Sequence, residues 1–340
     1  MKQLFKTLIL SIFSITLLFS FSANAAQGKV VGGQMHDIPS WFKQSFYDIA
    51  EDVEEAKEEG KHYMLFMDLE GCPYCTRMLD ENFKKDGGNK DFIQQYFDVV
   101  NINVKGSVEI AWDEDTTYTE KELAEKLKVQ YSPTILFFNH DKEVVVRVNG
   151  YRKPDRFKQI LEYVHGKHYE KMKLTEYINK VSDKSLYALR DNPMFSNITN
   201  LSKISTPLAV IFEDGSCSSC DFFHDNLMNN KDVVNEFKKY TIVRVDATSE
   251  KEITTPEGEV TTPKKWVEKI NLDYRPGILL YDEKKLISTM DALLYSFHFK
   301  ELLRYVSGKH YIKYPETYLD YLNVRQDELI NKGVVIDLSK

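Results

Sequence analysis

Three landmarks of this chain recur at nearly one spacing. The first cysteines of two Cys-x-x-Cys pairs, Cys72 and Cys217, stand 145 residues apart, and the prolines Pro133 and Pro276 stand 143 apart. Tyr163-Val-His-Gly-Lys-His-Tyr169 returns 142 residues later as Tyr305-Val-Ser-Gly-Lys-His-Tyr311. A period of that size is a whole domain rather than a solenoid unit, so the chain folds as two similar units in tandem. Its 340 residues are also too many for one ordinary core.

The first unit reads helix, strand, helix, strand, helix, hairpin, helix. Trp41, Phe42, Phe46, Ile49, Val53 and Ala56 recur at helical spacing between His36 and Gly60, which predicts an amphipathic helix with its aromatic positions in the core. An apolar strand, Tyr63 to Leu69, leads into the segment opened by Cys72. After the break Lys85-Asp-Gly-Gly-Asn89, a short helix (91–97) precedes a strand (99–104), and the polar stretch 105–118 reads as a surface excursion. Thr119-Glu-Lys-Glu122 has the form of a capping box before the helix 123–127. Strands flank the turn 139–142, Pro133 enters the first of them, and a helix (155–165) closes the unit. Gly-Lys-His-Tyr reads there as a Gly stop with helpful positive charge.

The second unit repeats this with strands at 206–213, 241–245, 278–281 and 286–290. Its insertion 254–262, with Glu-Gly at the centre, predicts a small hairpin where the first unit has its excursion. Tyr314 to Lys332 reads as a terminal helix beyond the repeat. The expected boundaries are 37–170 and 176–325, with 326–340 as a tail.

Lys2 and Lys6, the apolar run Leu8 to Phe21 and Ala23-Asn24-Ala25 predict a cleaved secretory signal peptide over 1–25 and a periplasmic address. No later segment is apolar for long enough to span a bilayer, so no transmembrane segment is expected in the mature chain. A formal charge of −7 without a basic stripe argues against nucleic acid as a partner.

In an exported chain four cysteines ordinarily read as staples. Here each pair would close only a tiny ring, and the loop entropy gained is small. The spacing instead suits a redox dithiol. With Cys72 at a helix start, free amides and the helix dipole favour its thiolate, and Cys75 one turn on can close a disulfide with it. Pro73 suits a first helical position. Cys217-Ser-Ser-Cys220 is compatible with the same arrangement. A four-cysteine zinc site usually separates its pairs by about 15–20 residues, whereas more than a domain intervenes here, so no metal is expected, and the exchange chemistry needs no cofactor.

A strand, a dithiol at a helix start and a Pro entering a hairpin some sixty residues later is the thioredoxin arrangement. Glu-Gly-Cys-Pro-Tyr-Cys, Tyr-Ser-Pro-Thr-Ile-Leu-Phe-Phe and Val-Asn-Gly-Tyr-Arg-Lys-Pro together resemble the exported thioredoxin-related proteins similar to SoxW, here as a tandem duplication. The resemblance implies an α/β fold of two tandem thioredoxin-like domains, each a central mixed sheet flanked by helices. It implies a cis-proline at Pro133, and a substrate-binding edge at Ser132, Pro133 and Thr134, with Arg275 and Pro276 in the second unit. Arg275 either points at Cys217, favouring its thiolate, or lies outward as a surface charge. Cytosolic thioredoxins keep a buried Asp six residues before the first Cys, where this chain has Phe66. Asp68, four before Cys72, is matched in the repeat by Glu213. Asp68 either takes the proton from Cys75 or is an exposed loop carboxylate.

The resemblance thus implies a thiol–disulfide oxidoreductase, most simply a reductase of protein disulfides, with Cys72, Cys75, Cys217 and Cys220 as catalytic residues. Protein or small-molecule disulfides would be its substrates, and a membrane carrier of the DsbD or CcdA type its electron donor. The rivals are a binding or chaperone module built on the same fold, and a disulfide isomerase or oxidase.

Overall fold

A computed structural model describes residues 28–85 and 88–340, and the expected signal peptide lies outside them. The first sheet has the strand order β3-β2-β6-β7, formed by β2 (His62–Asp68), β3 (Phe97–Asn103), β6 (Thr134–Phe138) and β7 (Val144–Asn149). β2 runs parallel to β3 and antiparallel to β6, which in turn pairs antiparallel with β7. β2 is apolar almost throughout because both its faces are covered. Met64 and Phe66 pack with α2 (Pro73–Met78), α3 (Lys90–Tyr96) and α5 (Pro154–His165). Tyr63, Leu65 and Met67 point the other way, onto α1 (Ile49–Glu58) and α4 (Glu120–Lys126). The capping box forms as expected, with Thr119 and Glu122 bonding each other's backbone.

The second sheet repeats the order as β9-β8-β12-β13. Its strands are β8 (Leu208–Glu213), β9 (Thr241–Asp246), β12 (Gly277–Asp282) and β13 (Lys285–Met290). Between them lie α7 (Cys220–Phe222), α8 (Lys231–Phe237) and α9 (Pro263–Lys269), and α10 (Ser296–Ser307) follows.

Several elements differ from their sequence reading. The first helix is shorter than 36–60. Asp48 caps it by accepting the Ala50 and Glu51 amides, and residues before it run as loop, with Phe42 in the core and Phe46 almost fully exposed. The excursion 105–118 is a hairpin, β4 (Glu109–Asp113) on β5 (Thr116–Thr119), anchored by the buried Ile110. It matches the hairpin of the second unit, β10 (Ile253–Thr254) on β11 (Val260–Thr261).

The last helix, α11 (Tyr318–Asn331), is not an addition to the repeat. It follows α10 as α6 (Leu174–Val181) follows α5. Nor do residues 326–340 trail away as a tail: β14 (Val335–Asp337) pairs in parallel with β1 (Lys29–Val31), and Ile336 is buried. Both ends of the described chain therefore meet.

The two units share a contact surface. The Tyr131 hydroxyl donates to the Thr289 carbonyl at 3.0 Å, Asn149 donates to Asp291 at 2.9 Å, and the buried Arg152 guanidinium lies 4.5 Å over the Tyr274 ring. Among the described residues no helix is long and apolar enough to cross a membrane.

Candidate active site

The first dithiol lies where β2 hands the chain to α2. Cys72 has extended backbone and caps α2, with Pro73 in the first helical position where the lost N–H has no partner to miss. The Cys75 amide donates to Cys72 Sγ at 3.2 Å. Both cysteines are free thiols, Cys75 wholly buried and Cys72 nearly so.

Burial opposes ionisation of Cys72. Hydrogen bonds from the Cys75 side chain and amide, from Ser132 and from the Tyr74 amide outweigh it, so this thiol lies below its ordinary range. Cys75 goes the other way: burial and the neighbouring Cys72 thiolate hold it well above. The pair is thus split into one sulfur favoured as a thiolate and one held protonated.

The Ser132–Pro133 peptide bond is cis and lies against both sulfurs. In its thiol form Cys72 donates to the Ser132 carbonyl at 3.3 Å, and Cys75 Sγ lies 3.2 Å from Ser132 Oγ. Thr134, also expected on this edge, is wholly buried and donates back to the Tyr131 carbonyl at 2.8 Å. Only Ser132 of the three presents a partly open surface.

The second unit covers one flank of the dithiol. Tyr74, between the two cysteines, stacks on Tyr295 with centroids 4.8 Å apart, accepts the Tyr295 amide at 2.8 Å, and bonds His298 Nδ1 at 3.0 Å. Burial pushes His298 down to about 4, so its ring is uncharged at neutral pH.

Asp68 is no exposed loop carboxylate. It is buried, accepts Asn101 Nδ2 at 3.2 Å on one oxygen, and pairs with His36 Nε2 at 2.7 Å on the other. His36 Nδ1 lies 3.3 Å from Thr76 Oγ1, which also donates to the Cys72 carbonyl at 3.3 Å. Sequence reading missed His36, which stands 32 residues from its partner in an irregular segment. The only signal was indirect, in the match of Asp68 to Glu213 between the repeats.

The second dithiol is built differently. Cys217 and Cys220 form a disulfide, with Cα atoms 5.5 Å apart. Cys217 is not at a helix start, because the three-residue α7 begins only at Cys220 with Ser219 before it. Tyr187 and Leu189 cover the pair. Gly215 lies so close beneath this cover that an added Cβ would fall 2.0 Å from the Lys184 carbonyl oxygen.

Arg275 takes neither of its expected directions. It is buried and donates from Nε to Asp214 at 2.7 Å and from Nη1 to the Leu272 and Tyr274 carbonyls. Its charge is spent on a buried ion pair, and Pro276 beside it is buried too, so neither forms an open substrate edge. Lys153 of the first unit reaches over to the Ser218 carbonyl, and Arg156 donates to Ser216 Oγ at 3.2 Å.

Residues 49–165 match the family model described as a thioredoxin-like domain. Among solved structures, a thioredoxin-fold protein from Helicobacter pylori is 24% identical over 39% of this chain and 94% of that one, with a TM-score of 0.33. A thioredoxin from Thermus thermophilus is 26% identical over 35% and 84% of the two chains, with a TM-score of 0.28. A DsbH oxidoreductase is 16% identical over 39% and 92%, with a TM-score of 0.27. Comparison with curated proteins gives no match. Residues 49–165, with their dithiol at a strand-to-helix turn, are a thioredoxin-like domain, and the second half of the chain repeats its mixed sheet in tandem.

Proposed function

We propose that this chain is an exported thiol–disulfide oxidoreductase that reduces protein disulfides through Cys72 and Cys75. One observation carries the reading: Cys72 at the head of α2 takes the Cys75 amide on its sulfur and is favoured as a thiolate, while Cys75 stays protonated behind it. The Cys72 thiolate attacks a substrate disulfide, forming a mixed disulfide and releasing one substrate thiolate. Cys75 then gives up its proton, for which Asp68 is the acceptor, and attacks Cys72 Sγ. The second substrate thiolate leaves. The substrate gains two electrons and the enzyme becomes the Cys72–Cys75 disulfide. An external dithiol donor, such as a membrane carrier of the DsbD or CcdA type, restores it. The Ser132 backbone beside both sulfurs is the substrate edge.

The Cys217–Cys220 pair, oxidised and covered, takes part only when its cover opens. The likeness to SoxW and the periplasmic address belong to this same reading.

Cys72→Ser should abolish reduction of insulin disulfides, and Cys75→Ser should accumulate mixed disulfides whose partners identify substrate and donor. Retained reduction by Cys72→Ser would sink the proposal and favour a binding module. Asp68→Asn should slow turnover about tenfold or more while leaving the fold intact. Unchanged turnover removes Asp68 from the mechanism.

A further inference from the structure

In each half a strap crosses the turn that presents the first cysteine. The Gln34 amide donates to the Gly71 carbonyl at 3.2 Å, and the Tyr187 amide to the Gly215 carbonyl at 3.0 Å. Each strap brings a side chain to the carboxylate four residues before that cysteine. His36 pairs with Asp68 at 2.7 Å, and the Tyr187 hydroxyl donates to Glu213 at 3.3 Å. Glu213 also holds an imidazole, His224 at 2.8 Å, but this one comes from the segment after Cys220. Duplication of a backbone does not account for two imidazoles from unrelated positions ending on one carboxylate position. In the first half charge gives the pairing a role: a buried carboxylate at the foot of a turn that carries a thiolate opposes that thiolate, and an imidazolium paired with it cancels the opposition.

We propose that His36 is a positioning residue of the dithiol: carried over the Cys72 turn by the N-terminal strap, it neutralises the Asp68 carboxylate and keeps that charge off the Cys72 sulfur. The inference rests on Cys72 being the nucleophile. The titratable groups facing the His36 ring are Asp68, from the end of β2, and Cys72, from the head of α2, with the uncharged Thr76 at its other nitrogen. The Asp68 hydrogen bond raises His36 against the effect of its burial, and the Cys72 thiolate raises it further. Coupling between two sites is reciprocal, so His36 favours the thiolate by the amount the thiolate favours its charge.

The test is a double-mutant cycle on the reduced protein, reading the iodoacetamide alkylation rate of Cys72 by peptide mass spectrometry across pH. His36→Gln, which keeps hydrogen bonding without charge, should slow alkylation near pH 6 by about threefold or more and move the profile to higher pH. His36→Gln combined with Asp68→Asn should recover the wild-type rate to within about twofold. An unchanged His36→Gln rate overturns the inference. So does a double variant as slow as the single one, because His36 would then act through packing. A check that needs no change at His36 uses its ring signals by NMR in wild type and Cys72→Ser. The ring should titrate at lower pH in Cys72→Ser, and equal midpoints overturn the coupling. A wild-type Cys72 that alkylates no faster than a free thiol removes the functional reading, and this inference with it.

Discussion

At the scale of single residues, the two sulfurs of the dithiol are unlike. Cys72 lies below the free-thiol value of about 8.5, and that has a thermodynamic sign. A group whose folded value is depressed adds stability above its unfolded value and loses it as the pH falls through the folded one. The reduced wild type should therefore gain stability over Cys72→Ser as the pH rises toward the unfolded thiol value of about 8.5, read from urea midpoints. A flat difference would show that the fold does not favour the thiolate. The repeated Gly-Lys-His-Tyr carries a different residue-scale lesson. Lys167 and Lys309, not the glycines, take the left-handed conformation. Gly166 and Gly308 leave room for the rings of His168 and His310, which fold back to 2.7 and 2.8 Å from where a Cβ would stand.

At the scale of elements, periodicity and spacing carried the strand–dithiol–helix turn, the capping box at Thr119 and the Pro-led hairpins, because each is decided by neighbours in sequence. The long-range features were illegible. Trp41 and Phe42 mimic a helix while serving as loop anchors in the core, and nothing local joins His36 to Asp68 or Tyr187 to Glu213. The strap over the second dithiol is such an element, and it makes a prediction. Tyr187→Gly should uncover Cys217–Cys220 and raise its rate of reduction by dithiothreitol several-fold, measured by mass spectrometry of the alkylated peptides. An unchanged rate would place the protection elsewhere. Within the sheet, Phe66 is wholly buried between β2 and the helices behind the dithiol. Phe66→Ala should cost about 3–5 kcal/mol in urea unfolding.

At the scale of the whole molecule, the halves meet on the Cys72–Cys75 tetrad itself, through Tyr74 against Tyr295 and His298. His298 is depressed to about 4 by burial, so its contribution is full above its unfolded value of about 6.5 and drains away as the pH falls toward 4. Wild type should lose thermal stability over that window more steeply than His298→Gln, and parallel curves would show that the ring's proton does not matter. The strand pair β1–β14 reaches further still. Removing residues 334–340 should free the strap and slow Cys72 alkylation as His36→Gln does, because Leu338 and Val335 are among the residues that hold Val31 and Lys29 in place. Residue 337 follows Cys72 by 265 positions in the sequence. The first sheet uses only strands up to residue 149, yet the surroundings of Cys72 are completed only when residues 335–337 have joined residues 29–31. A thiol whose surroundings wait for a distant strand is one less prone to exchange with the wrong partner before that strand arrives.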